Sequence, residues 1–158
     1  MLKKILLFVV CMCLLTSCSG NKKIYLSNEF YSEGNFKEIN NDSINQYNNK
    51  TYLLFTYNNY CSLPIPCDKI FLEVAKKNNI SILSMPFSEF KKTVFYDTVK
   101  YAPSIIIVDE GKVIKYLDAN KDEDLEKYQD VDKFEKWLNE NIYLKKKNNH
   151  KVWLFFNL

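Results

Sequence analysis

TYLLFTY at 51–57, NNYCSLPIPC at 58–67 and DKIFLEVAKKN at 68–78 run on without a break, and how they are read decides the fold. The first stretch is continuously apolar and aromatic, the pattern of a strand buried on both faces. The last has Ile70, Phe71, Val74 and Ala75 at the spacing of one helix face, with Cys67 at the helix start. Between them Cys61 and Cys67 flank a loop stiffened by Pro64 and Pro66. The expectation is a buried central strand, a cysteine loop and an amphipathic helix, in that order.

Working outward, 36–39 reads as a short strand, and Asp42 or Ser43 is placed to cap a helix running to about Asn48. Downstream, ISILSM at 80–85 reads as a second buried strand, ended by Pro86. Ser88 is placed to cap a helix carrying Phe90, Val94 and Phe95, and Ala102-Pro103 breaks the chain. SIIIV at 104–108 and KVIKYL at 112–117, joined by Asp109-Glu110-Gly111, read as a hairpin. A closing helix over 131–142 carries Phe134, Trp137, Leu138 and Ile142 on one face. The order β-α-β-α-β-α-β-β-α predicts an α/β domain with a central mixed sheet and helices on both faces.

The chain has 158 residues, enough for one core, and only 3 Gly and 4 Pro, which excludes fibrous and disordered classes. The net charge is +3, and Lys3 and Lys4 lie in a leader without acidic residues. The remainder carries +1 (3 − 2), which leaves no electrostatic footprint for nucleic acid.

That leader has three parts. Lys3 and Lys4 form a basic start, 5–15 is an apolar run, and Leu15-Thr-Ser-Cys18 follows. The run is too short to span a bilayer and suits a signal-peptide core. Leu15-Thr-Ser-Cys18 resembles the bacterial lipobox, which implies cleavage after Ser17, acylation of Cys18 and a lipid-bilayer partner outside the cytoplasm. The division expected is a signal peptide over 1–17, a tether over 18–30, a domain over 31–144 and a basic, aromatic tail over 145–158. Ser19, not Asp, follows Cys18; in a cell with two membranes, the resemblance favours the outer one.

Of five cysteines, Cys11 and Cys13 leave with the leader and Cys18 takes lipid. Cys61 and Cys67 remain, in an oxidising compartment if export holds, where they can close a disulfide.

The element order, the cysteine loop opening a helix, Ala102-Pro103-Ser104 before a strand and the Gly turn of the hairpin together resemble thioredoxin over about 36–143. The resemblance implies a three-layer sandwich, a cis-proline at Pro103 and possible thiol–disulfide chemistry. It implies no cofactor and no metal. Leu117-Asp-Ala-Asn120 with Asp122-Glu-Asp124 also resembles small thioredoxin-like proteins described as accessory to bacteriocin export.

Two departures stand against the family pattern. Pro64 occupies the nucleophile position three residues before Cys67, and Cys61 lies three residues further back. Phe55 falls where the family has a buried acid that moves protons. Two readings of the pair stay open. In one, Cys61 attacks and Cys67 resolves on an envelope protein or peptide. In the other, they form a permanent staple in a binding or accessory module.

Other features carry less. Asp118, Asn120 and Asp122 have calcium-loop spacing, but the sixth position lacks Gly and the twelfth is Gln129, so the run reads as a solvated turn. His150 stands alone and makes no metal site. Three Asn-X-Ser/Thr sequons mean little in a bacterial lipoprotein. Lys145, Lys146, Lys147 and Lys151 precede VWLFF at 152–156, which suits a packed tail or edge strand and, less well, a membrane surface.

Overall fold

The computed structural model describes residues 22–58 and 64–145. Cys18, Cys61, the leader and the tail over 146–158 lie outside the described residues. The elements are β1 (Ile24–Tyr25), β2 (Phe36–Glu38), β3 (Thr51–Tyr57), α1 (Cys67–Asn78), β4 (Ile82–Pro86), α2 (Phe87–Phe90), β5 (Ser104–Asp109), β6 (Lys112–Asp118), α3 (Asp122–Leu125), α4 (Val131–Asn141) and β7 (Ile142–Tyr143). Short 3-10 turns cover Asn28–Phe30, Ile44–Tyr47, Val94–Asp97 and Glu126–Tyr128.

The main sheet has the order β2-β4-β3-β5-β6. β3 is parallel to β4, because α1 carries the chain across, and antiparallel to β5. Five of its seven residues are buried, as expected for a central strand. Tyr52 and Phe55 point to opposite faces and define the layers. Tyr52 meets Phe30 and Tyr47 of two 3-10 turns at 5.9 and 5.7 Å. Phe55 meets Phe71 of α1 edge-on at 5.2 Å. The result is an α/β three-layer sandwich around a mixed sheet. In the β5–β6 turn, Glu110 and Gly111 both have positive φ, the backbone that a tight hairpin requires.

Several sequence expectations shift. The helix predicted to run to Asn48 is only a 3-10 turn, Ile44–Tyr47. Asn40 Oδ1 accepts the Ser43 N–H at 3.0 Å and Ser43 Oγ accepts the Asn40 N–H at 3.1 Å. This reciprocal pair caps the start of the turn, which then closes through i→i−3 bonds, Gln46 N–H to the Ser43 carbonyl and Asn48 N–H to the Asn45 carbonyl, and goes no further. Ser88 lies inside α2 rather than capping it, and the predicted helix splits after Phe90. Thr93 Oγ1 donates to the Phe90 carbonyl at 2.8 Å, and Val94 turns outward at 75% exposure. The second buried strand starts at Ile82 rather than Ile80. Leu26 and Phe30, read as tether, are buried, and β1 pairs in parallel with β7. No helix among the described residues is long and apolar enough to cross a membrane.

Gly34, at φ +66°, lies against the end of α1. A Cβ there would come within 2.5 Å of Lys76 Cα and 2.8 Å of the Ala75 carbonyl oxygen. At Gly111 a Cβ would meet nothing nearer than the Asn48 carbonyl at 3.5 Å. Gly34→Ala should therefore destabilise the domain by well over 1 kcal/mol, and Gly111→Ala by about 1 kcal/mol from backbone strain alone. Chemical denaturation of the two variants checks the order.

Candidate functional site

Cys67 is the first residue of the twelve-residue α1 and follows Pro66 directly. Pro suits this boundary, since it cannot continue a helix backwards and has no N–H to leave unpaired. The start of a helix presents unpaired N–H groups that favour negative charge. Cys67 is only 3% exposed, so its sulfur faces the protein interior. Its expected partner, Cys61, lies outside the described residues.

Pro103 and Cys67 are linked through a shared neighbour, Tyr128. The Ala102–Pro103 bond is cis, and Pro103 directly precedes β5. The loop is held from three sides. Asn58 Nδ2 donates to the Ala102 carbonyl at 3.4 Å, and Ser104 Oγ donates to the Tyr101 carbonyl at 2.8 Å. The Tyr128 hydroxyl is shared between the Leu117 carbonyl at 2.7 Å and the Pro103 carbonyl at 3.1 Å. Tyr128 is fully buried, with its ring 5.5 Å from Phe71. Burial first, and then the proximity of Cys67, hold its hydroxyl well above the usual tyrosine range. Tyr128 therefore stays protonated and acts as a hydrogen-bond donor to the Pro103 and Leu117 carbonyls.

The next residue anchors the other loop. Gln129 Oε1 accepts the Ile65 N–H at 3.0 Å, and Gln129 Nε2 donates to the Ile65 carbonyl at 2.8 Å. Sequence reading considered Gln129 only as a missing calcium ligand and passed over Tyr128. Neither carries a local signal, because each acts on residues far away in the chain.

Phe55 is 3% exposed and packed among Phe36, Tyr57 and Phe71. This cluster leaves the expected acid position wholly aromatic. The run from Asp118 to Asp124 is exposed over residues 120–123, as a solvated turn would be, with its two ends tied down. Asp118 is nearly buried and its Oδ1 accepts the Asn120 N–H at 2.9 Å. Asp124 accepts the Asp118 N–H at 3.1 Å and pairs with Lys127 at 2.8 Å. The carboxylates of Asp118 and Asp124 are therefore engaged within the turn itself. No group of three His, Cys, Asp or Glu that could hold a metal occurs among the described residues.

Tyr128→Phe removes one hydroxyl while keeping the ring. It leaves the Leu117 and Pro103 carbonyls without that donor in a buried setting, and should lower stability by about 1–3 kcal/mol, measured by thermal unfolding.

No protein-family model matches the chain, and no curated protein matches it. Among solved structures, a mutant thioredoxin from Halobacterium salinarum superposes with a TM-score of 0.50 at 13% identity, covering 73% of this chain and 97% of that one. Thioredoxin from Schistosoma mansoni gives 0.46 at 16% identity, covering 68% and 96%. Thioredoxin f from spinach chloroplast gives 0.43 at 20% identity, covering 61% and 86%. With a mixed five-stranded sheet of order β2-β4-β3-β5-β6 and helical layers on both faces, the chain carries a thioredoxin-fold domain.

Proposed function

We propose that this protein is a lipid-anchored thioredoxin-fold protein of the cell envelope that exchanges thiols and disulfides with an envelope protein or peptide. The observation that carries this reading is Cys67: buried, first in α1, and joined to the Pro103 loop through the environment of Tyr128. Cys61 is its partner on sequence grounds.

In the proposed reaction the Cys61 thiolate attacks one sulfur of a substrate disulfide. That S–S bond breaks, a mixed disulfide forms, and one substrate thiolate leaves and takes up a proton. Cys67, deprotonated, then attacks the Cys61 sulfur and the second substrate thiolate leaves. The protein dithiol loses two electrons and the substrate disulfide gains them. An external dithiol returns them, so the sulfurs need no cofactor or metal. Export and anchoring rest on Lys3, Lys4, the apolar run and Leu15-Thr-Ser-Cys18, with acylated Cys18 held in the bilayer.

A second reading has its own observation. With Phe55 locked in an aromatic cluster, the site has no acid at that position to move a proton. This favours a binding or accessory module in which the cysteines are a permanent staple.

The two readings predict different outcomes. A reduction potential above about −300 mV, with reduction of a model disulfide that disappears in Cys61→Ser and in Cys67→Ser, supports exchange. A lower potential without turnover assigns the pair to a staple. Cys18→Ala should lose palmitate labelling and leave the membrane fraction. Continued labelling at another residue refutes the anchor.

A further inference from the structure

We propose that Gln129 is a positioning residue for this exchange: by holding both backbone groups of Ile65, it shapes the segment leading into Cys67 and so sets the redox equilibrium of that cysteine. The inference rests on the thiol–disulfide reading above.

Pro64 and Pro66 have no N–H, so Ile65 supplies the one backbone donor between them. The Pro66 carbonyl is already used, accepting the Lys69 N–H at 3.0 Å in the first turn of α1. The Ile65 side chain is 43% exposed and gives little packing to fix the segment. What holds Ile65 is the Gln129 amide, which bonds its N–H and its carbonyl as a neighbouring strand would.

The amide is itself fixed. Its second Nε2 proton goes to the Tyr128 carbonyl at 2.9 Å. One acceptor and two donors are thus all engaged, which determines which way the amide faces. Glutamate offers the acceptor but no donor, and alanine offers neither. Tyr128, one residue earlier, holds the Pro103 carbonyl. Adjacent residues of one segment therefore secure the entry to Cys67 and the loop of Pro103.

A restrained segment has less freedom to lose when the ring closes, so the clamp favours the disulfide over the dithiol. A residue that only adds stability would support both states equally and leave their ratio unchanged. The ratio is therefore the informative quantity.

The test is equilibration of the full chain, in detergent, with dithiothreitol: protein dithiol plus oxidised dithiothreitol gives protein disulfide plus reduced dithiothreitol. Alkylation and mass spectrometry of the Cys67 peptide read the ratio. Gln129→Ala should lower the equilibrium constant for the disulfide by about fivefold or more, and Gln129→Glu by less, while the dithiol forms melt close to the parent. An unchanged constant, or an equal loss of stability in both redox states, overturns the proposal. If Gln129→Ala fails to fold, Gln129→Glu decides in the same assay. A shifted constant in a protein that turns over no substrate would retire the enzymatic reading and keep the role of Gln129. If no disulfide forms on Cys67 in the parent, both readings fall.

Discussion

The ring of Phe71 lies 5.2 Å from Phe55 of the sheet, 4.3 Å from Phe134 of α4 and 5.5 Å from Tyr128. These contacts fix how far α1 is rotated and how high it sits on the sheet. Cys67 precedes Phe71 by four residues and shares its face of the helix. Once Phe71 is packed, the Cys67 side chain turns inward. The far end of α1 is tied separately, where Lys77 and Asn78 bond the Glu135 carboxylate at 2.5 and 2.8 Å. That pairing, first through the Lys77 hydrogen bond, holds the Glu135 carboxyl below its ordinary range. The inward placement of Cys67 thus follows from an aromatic packing contact.

The same cluster decides what the site lacks. An acid at position 55 would sit among Phe36, Tyr57 and Phe71, where ionising it costs heavily unless it is paired. Phe55 fills the space with dispersion contacts and stabilises the sheet, and gives up a proton carrier there. Among the described residues, the neutral side chains of Tyr128 and Gln129 hold backbone carbonyl and N–H groups of Pro103 and Ile65. Neutral hydrogen bonds position groups without adding a strong field.

Much of the fold was legible because it is written in local pattern. The apolar run of β3, the helical spacing of Ile70, Phe71, Val74 and Ala75, and the Glu110-Gly111 turn each decide their own structure within a few residues. The misreadings have two causes, one distant and one local. Leu26 and Phe30 belong to the core because β1 pairs with β7, and because the Tyr31 hydroxyl accepts the Leu26 N–H and donates to the Tyr143 carbonyl. Tyr31 and Tyr143 are 112 residues apart. Around Asn40 and Ser43 the cap expected of a helix start formed, but the turn behind it closes through i→i−3 bonds and ends at Tyr47.

For the site, the sequence alone determined the two cysteines, the proline before β5 and the helix that Cys67 opens, since residue type and short spacing suffice for these. It also holds the basic start, the apolar run and Leu15-Thr-Ser-Cys18, on which the proposed anchor rests. Only the tertiary structure decided that Tyr128 reaches Pro103 and that Gln129 reaches Ile65. Each of those contacts joins segments brought together by burial of Phe71, Tyr128 and Phe134, and a hydrogen bond across such a distance leaves no periodicity in the chain to be read.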